Sequence, residues 1–467
     1  MLKEFDQDTI AAISTPPGEG GIGVIRLSGP EAIAIAGKIF QSSKKIPLEK
    51  QPSFTVQHGY IIAKNDSGKT EKIDEVLVLL MRSPKSYTRE DVVEISAHGG
   101  AVILEAILNL SIRQGARLAA KGEFTKRAFL NGRIDLLQSE AVLDLVRAKT
   151  ALGRRWAGAQ LEGALSCAIK SIKTELVNSL THLEASIDFP EDSLETESVR
   201  TMETQLASIA QRLSKLLLSA RLGFIAKNGL KVVIAGRPNV GKSSLMNCLA
   251  RTDRVIVTPY AGTTRDTVET QIQIQGFPVS IVDTAGIQET SHPIEIEGIK
   301  RTKAAVFESD VVLYVMDASQ EGHPDDDALL RDLGDKPKII VLNKCDLPQN
   351  VNERRIRLQN KNAAIFNTSC ITHEGIEWLE NEIVGFITHG KAQSSEEVVV
   401  SSVRQKHLLE KAFQNVTDAT NGARSQLSPE LLAVDVRLAL DQLGALVGEV
   451  VTDDILEALF SQFCVGK

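Results

Sequence analysis

The stretch GRPNVGKSS, Gly236 to Ser244, has the spacing G-x-x-x-x-G-K-[ST] and lies between a strand-like run, KVVIA, and a helical run, SSLMNCLA. Phosphate binding needs this arrangement, because glycines let backbone N–H groups wrap an anion and the helix amino end adds its positive dipole. Lys242 is placed for the β- and γ-phosphates and Ser243 for Mg²⁺. A glycine-rich turn with no ligand would carry the same glycines, so further signals must decide. DTAG at 283–286 closes a second apolar run, setting Asp283 beside the metal and the Gly286 N–H near a terminal phosphate. NKCD at 343–346 closes another, and the Asp346 carboxylate accepts the paired N–H donors on guanine's edge, which adenine does not offer. GTTRD at 262–266 lies between them and supplies Thr264 as a second Mg²⁺ ligand. Four elements in this order imply a GTP hydrolase. The expected nucleotide set is Asn239, Val240, Gly241, Lys242, Ser243, Ser244, Thr258, Thr263, Thr264, Asp283, Thr284, Ala285, Gly286, Asn343, Lys344 and Asp346.

The hydrolytic apparatus is less direct. Ile287 follows DTAG, at the place where Ras carries the glutamine that orients attacking water. Charge neutralisation must therefore come from elsewhere. Asn239 either helps hold a cation or is a solvent-facing loop amide, and Thr258, Tyr260 and Thr263 in VTPYAGTTRD could complete an oxygen cage.

The elements that must position these groups follow from periodicity. From Leu230, short apolar strands (LKVVIAG, VSIVDTAG, VVLYVMDAS, KIIVLNKCD, AAIFNTS) alternate with helical segments, the pattern of a mostly parallel sheet covered on both faces. Residues 122–228 are helical, with one run continuing to DFPED at 188–192. Residues 1–121 mix strands with two helices, PEAIAIAGKIF and AVILEAILNLSIRQ, as an α+β domain. Helix returns after the polar linker KAQSSEE. The simplest organisation has four segments: an amino-terminal domain 1–121, a first helical segment 122–228, a GTPase domain 229–390 inserted into the helical domain, and a second helical segment 391–467.

Composition narrows the class. A hydrophobic fraction of 43% supports packed cores, and a net charge of −7 excludes a wholesale basic coat for nucleic acid. A local excess remains between residues 113 and 156, where ten Lys/Arg stand against four acids, either a nucleic-acid backbone surface or a solvated helical face. The five cysteines are scattered without metal-ligand spacing, which fits a reducing compartment. Neither a signal peptide nor a membrane-length apolar run is present, so a cytoplasmic protein without membrane contact is expected.

Two further features carry chemistry. GEGGIG at 18–23 matches a dinucleotide pattern, but a strand follows where a helix should open, so it reads as a turn between strands. The tail FCVGK places Cys464 fourth from its last residue. Prenylation fails there because Gly466 is not aliphatic and lysine is not an accepted last residue. Cys464 is then either a small packed residue or a member of a site that the last helix completes. His98, in AHGG, reads as a structural histidine at a strand-to-helix turn.

These motifs, with TPPGEGGIGVIRLSGP, SYTRED, GEFTKRAFLNGRIDLLQSEA and the terminal FCVGK, resemble the MnmE (TrmE) family of tRNA modification GTPases over nearly the whole chain. The resemblance implies a folate-binding amino-terminal domain, a central helical domain and a Ras-like P-loop G domain inserted into it. It implies a homodimer, a heterotetramer with an FAD-containing MnmG-type subunit, and carboxymethylaminomethyl-type modification at C5 of the wobble uridine in tRNA. A tetrahydrofolate derivative, 5-formyl- or methylene-type, would supply one carbon. K⁺ would stimulate hydrolysis through Asn239, Thr258, Tyr260 and Thr263, with Mg²⁺ on Ser243 and Thr264. The water-orienting glutamate matches Glu295, with Glu297 as near rival, and Cys464 is the second catalytic candidate. Folate contacts carry over to Arg26, Glu94, Arg133 and Lys467. The competing class is an RNA-binding regulatory or ribosome-assembly GTPase without modification chemistry.

Overall fold

The computed structural model describes residues 8–64, 69–188, 196–252, 269–283, 304–388 and 398–467. The chain divides into two compact units, one of Met1–Leu143, Ser166–Lys173 and Leu440–Lys467, the other of Asp144–Leu165 and Thr174–Ala439.

The first unit is built on a seven-stranded sheet. Its strands are β1 (Ile10–Ile13), β2 (Gly20–Ser28), β3 (Phe40–Ser42), β4 (Thr55–Lys64), β5 (Thr70–Met81), β6 (Val92–Gly99) and β7 (Arg117–Leu118), in the order β3-β4-β5-β6-β2-β1-β7. All neighbours are antiparallel except β1 and β7. Period-two alternation sends Ile25, Leu27, Val76, Val78, Val93 and Ile95 to one face. There they pack with Ile35 and Ile39 of α1 (Ala32–Ile39) and Leu104 and Ile107 of α2 (Ala101–Arg113). The register aligns Val56, Leu79, Glu94 and Arg26 in a row across the opposite face. GEGGIG is not a simple turn: Gly20 already opens β2, and the register shifts between Gly20 and Gly23 as a bulge.

The helical run predicted as continuous is divided. After α3 (Glu123–Leu130) come α4 (Leu136–Arg147), α5 (Ala151–Leu161) and α6 (Ala164–Asp188). Thr150 caps α5 by accepting the Gly153 N–H at 3.1 Å, and Gly163, at φ 97°, separates α5 from α6.

In the second unit, α7 (Thr196–Asn228) packs against the helix Val403–Arg424, and α8 (Lys242–Thr252) follows the first strand of the second sheet. That sheet joins β8 (Leu230–Ala235), β9 (Glu269–Ile274), β10 (Phe277–Asp283), β11 (Val311–Asp317), β12 (Lys338–Asn343) and β13 (Ala364–Thr368) in the order β13-β12-β11-β8-β10-β9. Only β9 and β10 pair antiparallel. Both faces are covered. Val311, Leu313 and Val315 join a core with Leu245 and Leu249 of α8, while Val312, Tyr314 and Met316 join another with Leu330 and Ile356. This explains why β11 reads as an unbroken apolar run.

Candidate functional site

The phosphate-binding loop runs from β8 to α8 through three residues of positive φ: Gly236 at 146°, Asn239 at 63° and Gly241 at 98°. A Cβ on Gly241 would stand 2.2 Å from Nδ2 of Asn343, so glycine there is a packing requirement as well as a conformational one. Lys242 is buried, and its ammonium donates to the carbonyls of Gly236 at 3.0 Å and Arg237 at 2.8 Å. Ser243 and Ser244 are exposed in the first turn of α8. Arg237 is fixed by Asp326 at 2.9 Å, and Asp326 also accepts the Tyr314 hydroxyl at 2.9 Å. Burial and that carboxylate push the Tyr314 hydroxyl far above its ordinary pKa.

Strand register gathers the remaining groups. Asp317, Asn343 and Thr368 are successive partners across the carboxyl ends of β11, β12 and β13, while Asp283 pairs with Ile234 at the end of β10. Asn343 donates its amide to the Val240 carbonyl at 3.0 Å. Lys344, at φ 66°, reaches the Asn239 carbonyl at 3.0 Å and Asp317 at 2.6 Å. Burial raises the Asp317 carboxyl, but hydrogen bonds from Lys344 and Ser319 outweigh it and hold the group below the usual range. Asn343 and Lys344 thus tie strand ends to the phosphate loop, and Asp346 is exposed just beyond them.

Asp317 and the buried pair Thr368–Ser369 were missed from sequence, although VVLYVMDAS ends its apolar run on an aspartate. Thr258, Tyr260, Thr263, Thr264, Thr284, Ala285, Gly286, Glu295 and Glu297 lie outside the described residues, and Asp283 is described by its backbone alone.

A second constellation lies in the first unit. Arg26 donates Nε to Glu94 Oε1 at 2.8 Å, with Nη2 at 2.7 Å from the same oxygen. Its Nη1 reaches the carbonyl of Gly466 at 3.3 Å, which also accepts the Ser14 hydroxyl at 3.1 Å. The tail is held further by a bridge between Lys121 and Val465 and by the Gly122 N–H on the Cys464 carbonyl at 3.3 Å. Phe460 and Phe463 anchor it by packing with Leu136 and Phe129. Tyr87 is shared: the Arg133 guanidinium stands 4.8 Å and that of Arg26 5.9 Å from its ring centre. Arg133 also donates to the Tyr87 carbonyl at 3.1 Å. Arg26, Glu94, Arg133 and the tail bearing Cys464 and Lys467 are therefore neighbours, and the Cys464 side chain is exposed rather than packed. Two guanidiniums and one carboxylate around an aromatic ring suit a planar, hydrogen-bonding, anionic ligand.

His98 closes β6 and is exposed, held by Asp74, whose Oδ1 is 2.6 Å from its ring Nδ1. The basic stretch needs correction. Arg127 is only 2% exposed and is enclosed by Asp8, Glu90 and Glu123, while Arg117 pairs with Asp8 and Glu123. Arg127 is thus buried and neutralised and cannot serve a polyanion, while Arg117 is half-exposed but already paired with two carboxylates. Burial raises the Glu123 carboxyl, yet its bonds from Arg117 and Arg127 hold it below the usual range, and Asp8 behaves alike. No group of histidine, cysteine and carboxylate side chains suited to a metal occurs among the described residues. No described helix is long and apolar enough to cross a membrane.

Comparison with known proteins matches both regions. Residues 136–464 fit the model of the MnmE helical domain, and residues 9–133 that of the GTP-binding protein TrmE amino terminus. The chain is 43% identical over 460 residues to the tRNA modification GTPase MnmE of Thermoanaerobacter pseudethanolicus, covering 98% of this chain and 99% of that protein. It is 44% identical over 464 residues to the protein of the same name from Carboxydothermus hydrogenoformans, covering 99% of this chain and all of that one. The corresponding Enterococcus faecalis protein is 42% identical over 461 residues, with 98% of each chain covered.

Proposed function

The chain belongs to the MnmE family of tRNA modification GTPases, and from this premise we propose that it couples GTP hydrolysis to modification at C5 of the wobble uridine in tRNA. The modification is of carboxymethylaminomethyl type, made by a homodimer joined to an FAD-containing MnmG-type subunit, in the cytoplasm, with one carbon from a tetrahydrofolate derivative. The four-segment division at 121, 228 and 390 belongs to this reading. The observation that supports it is that Ser14 and Arg26, the latter paired with Glu94, both hold the Gly466 carbonyl in the tail that carries Cys464 and Lys467.

The residues suit both ligands. Lys242 already has its ammonium directed at loop carbonyls, so phosphate oxygens replace those acceptors without moving the α8 backbone. Asn239 keeps its side chain exposed at positive φ, in keeping with a K⁺ ligand shared with Thr258, Tyr260 and Thr263. Ser243, with Thr264, would hold Mg²⁺, and Glu295 would orient water. In the first unit, both bonds from Arg26 go to one oxygen of Glu94, which leaves Oε2 to accept donors of a pterin edge. Arg26 and Arg133 would face anionic or carbonyl oxygens. The folate derivative supplies a one-carbon unit when bound, and the exposed Cys464 thiol would act on the uridine ring.

Wobble-uridine mass spectrometry in a deletion strain tests the reading. Wild-type chain should restore the modified nucleoside, while Lys242→Ala and Cys464→Ser should not. Cys464→Ser should keep wild-type GTP turnover. An identical nucleoside profile in the deleted and complemented strains would sink the assignment in favour of an RNA-binding GTPase without modification chemistry.

A further inference from the structure

Three of the five cysteines gather where β12 and β13 end. Cys248 sits in α8, Cys345 follows β12 and Cys370 follows β13. Cys248 is buried, with its Sγ 3.2 Å from Nδ1 of His373. The Cys370 thiol is within hydrogen-bond reach of Cys248, packs against the same core, and donates to Asn343 Oδ1 at 3.5 Å. His373 has φ 62°, in the left-handed region that histidine enters more readily than most side chains. The turn after β13 therefore holds an imidazole against one of two adjoining thiols. Cys370 in turn touches the amide that carries the Val240 carbonyl.

We infer that Cys248 and Cys370, with His373 as proton acceptor, form a peroxide-reactive oxidation site whose disulfide weakens guanine nucleotide binding. His373 takes the Cys248 proton and the thiolate attacks a peroxide oxygen. The O–O bond breaks, Cys248 becomes the sulfenic acid, and the departing hydroxide leaves as water with the imidazolium proton. The Cys370 sulfur then displaces the sulfenic hydroxyl, which leaves as a second water with the Cys370 proton. Two thiols and one hydrogen peroxide yield one disulfide and two waters. Burial and the neighbouring Cys248 push the Cys370 thiol up to about 12, so it stays protonated and bonded to Asn343 until that step. Burial and the carboxylates of Glu374 and Asp346 also raise Cys345, which keeps it a poor competitor. The disulfide withdraws Cys370 from Asn343 and ties α8 to the segment after β13. Both changes fall on the loop that Asn343 holds.

The inference rests on nucleotide binding at this edge of the sheet, and its chemistry is read separately. Full-length protein is treated with hydrogen peroxide without nucleotide, alkylated with N-ethylmaleimide, and digested. The expected product is one linked pair of peptides carrying Cys248 and Cys370. Titration with fluorescent mant-GDP should show at least a fivefold rise in Kd after oxidation, reversed by dithiothreitol. Cys370→Ser should give the same Kd before and after peroxide, whatever that value is, and His373→Gln should form the same link more slowly. Both cysteines recovered alkylated, Cys345 in the link, or a link with unchanged Kd would each overturn the proposal. A reduced protein that fails to bind mant-GDP would instead refute the nucleotide site.

Discussion

Asn343 and Val240 are joined by an amide-to-carbonyl hydrogen bond of 3.0 Å, so the carboxyl end of β12 braces the loop between β8 and α8. The donor is almost fully buried, and a Cβ on Gly241 would collide with it. On the proposed reading of the site, base recognition and phosphate recognition would therefore be one mechanical unit.

Asn343→Ala removes that brace and leaves a buried carbonyl without its donor. The expected loss is about 2 kcal/mol in GDP binding, roughly thirtyfold in Kd. Fluorescent nucleotide titration checks it, and an unchanged Kd would mean the bond is incidental.

The charge network around Arg127 has a definite pH signature. Asp8 and Glu123 have folded pKa values below their ordinary ones, so their contribution is present above the ordinary carboxylate range and is lost as pH falls through the lowered values. Arg127→Met strands partly solvated carboxylates and should cost about 3 kcal/mol at pH 7. The gap between wild type and variant should narrow from pH 7 towards pH 3, as those carboxylates protonate. Thermal unfolding across that range measures it.

Gln57 presents the opposite case. It is 7% exposed on the core face of β4, and neither side-chain polar atom has a partner among the described residues. Gln57→Met keeps the shape and removes the unmet amide, so a gain of roughly 1 kcal/mol is expected. The urea midpoint should rise with an unchanged slope.

Gly466, at φ 92°, has no room for a side chain: a Cβ would stand 2.4 Å from the Ile13 carbonyl. Gly466→Ala should dislodge the tail while leaving GTP turnover within about twofold. Binding of 5-formyltetrahydrofolate should weaken roughly tenfold, about 1.4 kcal/mol. Calorimetry on the full chain reads this, and unaltered folate affinity would show that the docked tail plays no role in that site.

The nucleotide loop was legible because its chemistry is local: a strand, nine residues and a helix start carry the whole signal. Period-two alternation likewise marked Arg26 and Glu94 as strand residues. Their junction with Gly466 depends on contacts 440 residues apart, which no local pattern encodes. The helix breaks at Thr150 and Gly163 were passed over because the apolar spacing of the run continues through both. Arg127 was misread for a related reason. Charge counted along the chain cannot reveal the two carboxylates, Asp8 and Glu90, that arrive from other elements to join Glu123 of the same helix.

The bond from Ser14 to Gly466 spans 452 positions, and its kinetic consequence concerns assembly order. Closing a flexible loop of that length costs roughly 5 kcal/mol beyond a fixed term before any contact rewards it. The edge beside β1 should thus be sealed last, and refolding monitored there should lag the central sheet by a separate slow phase.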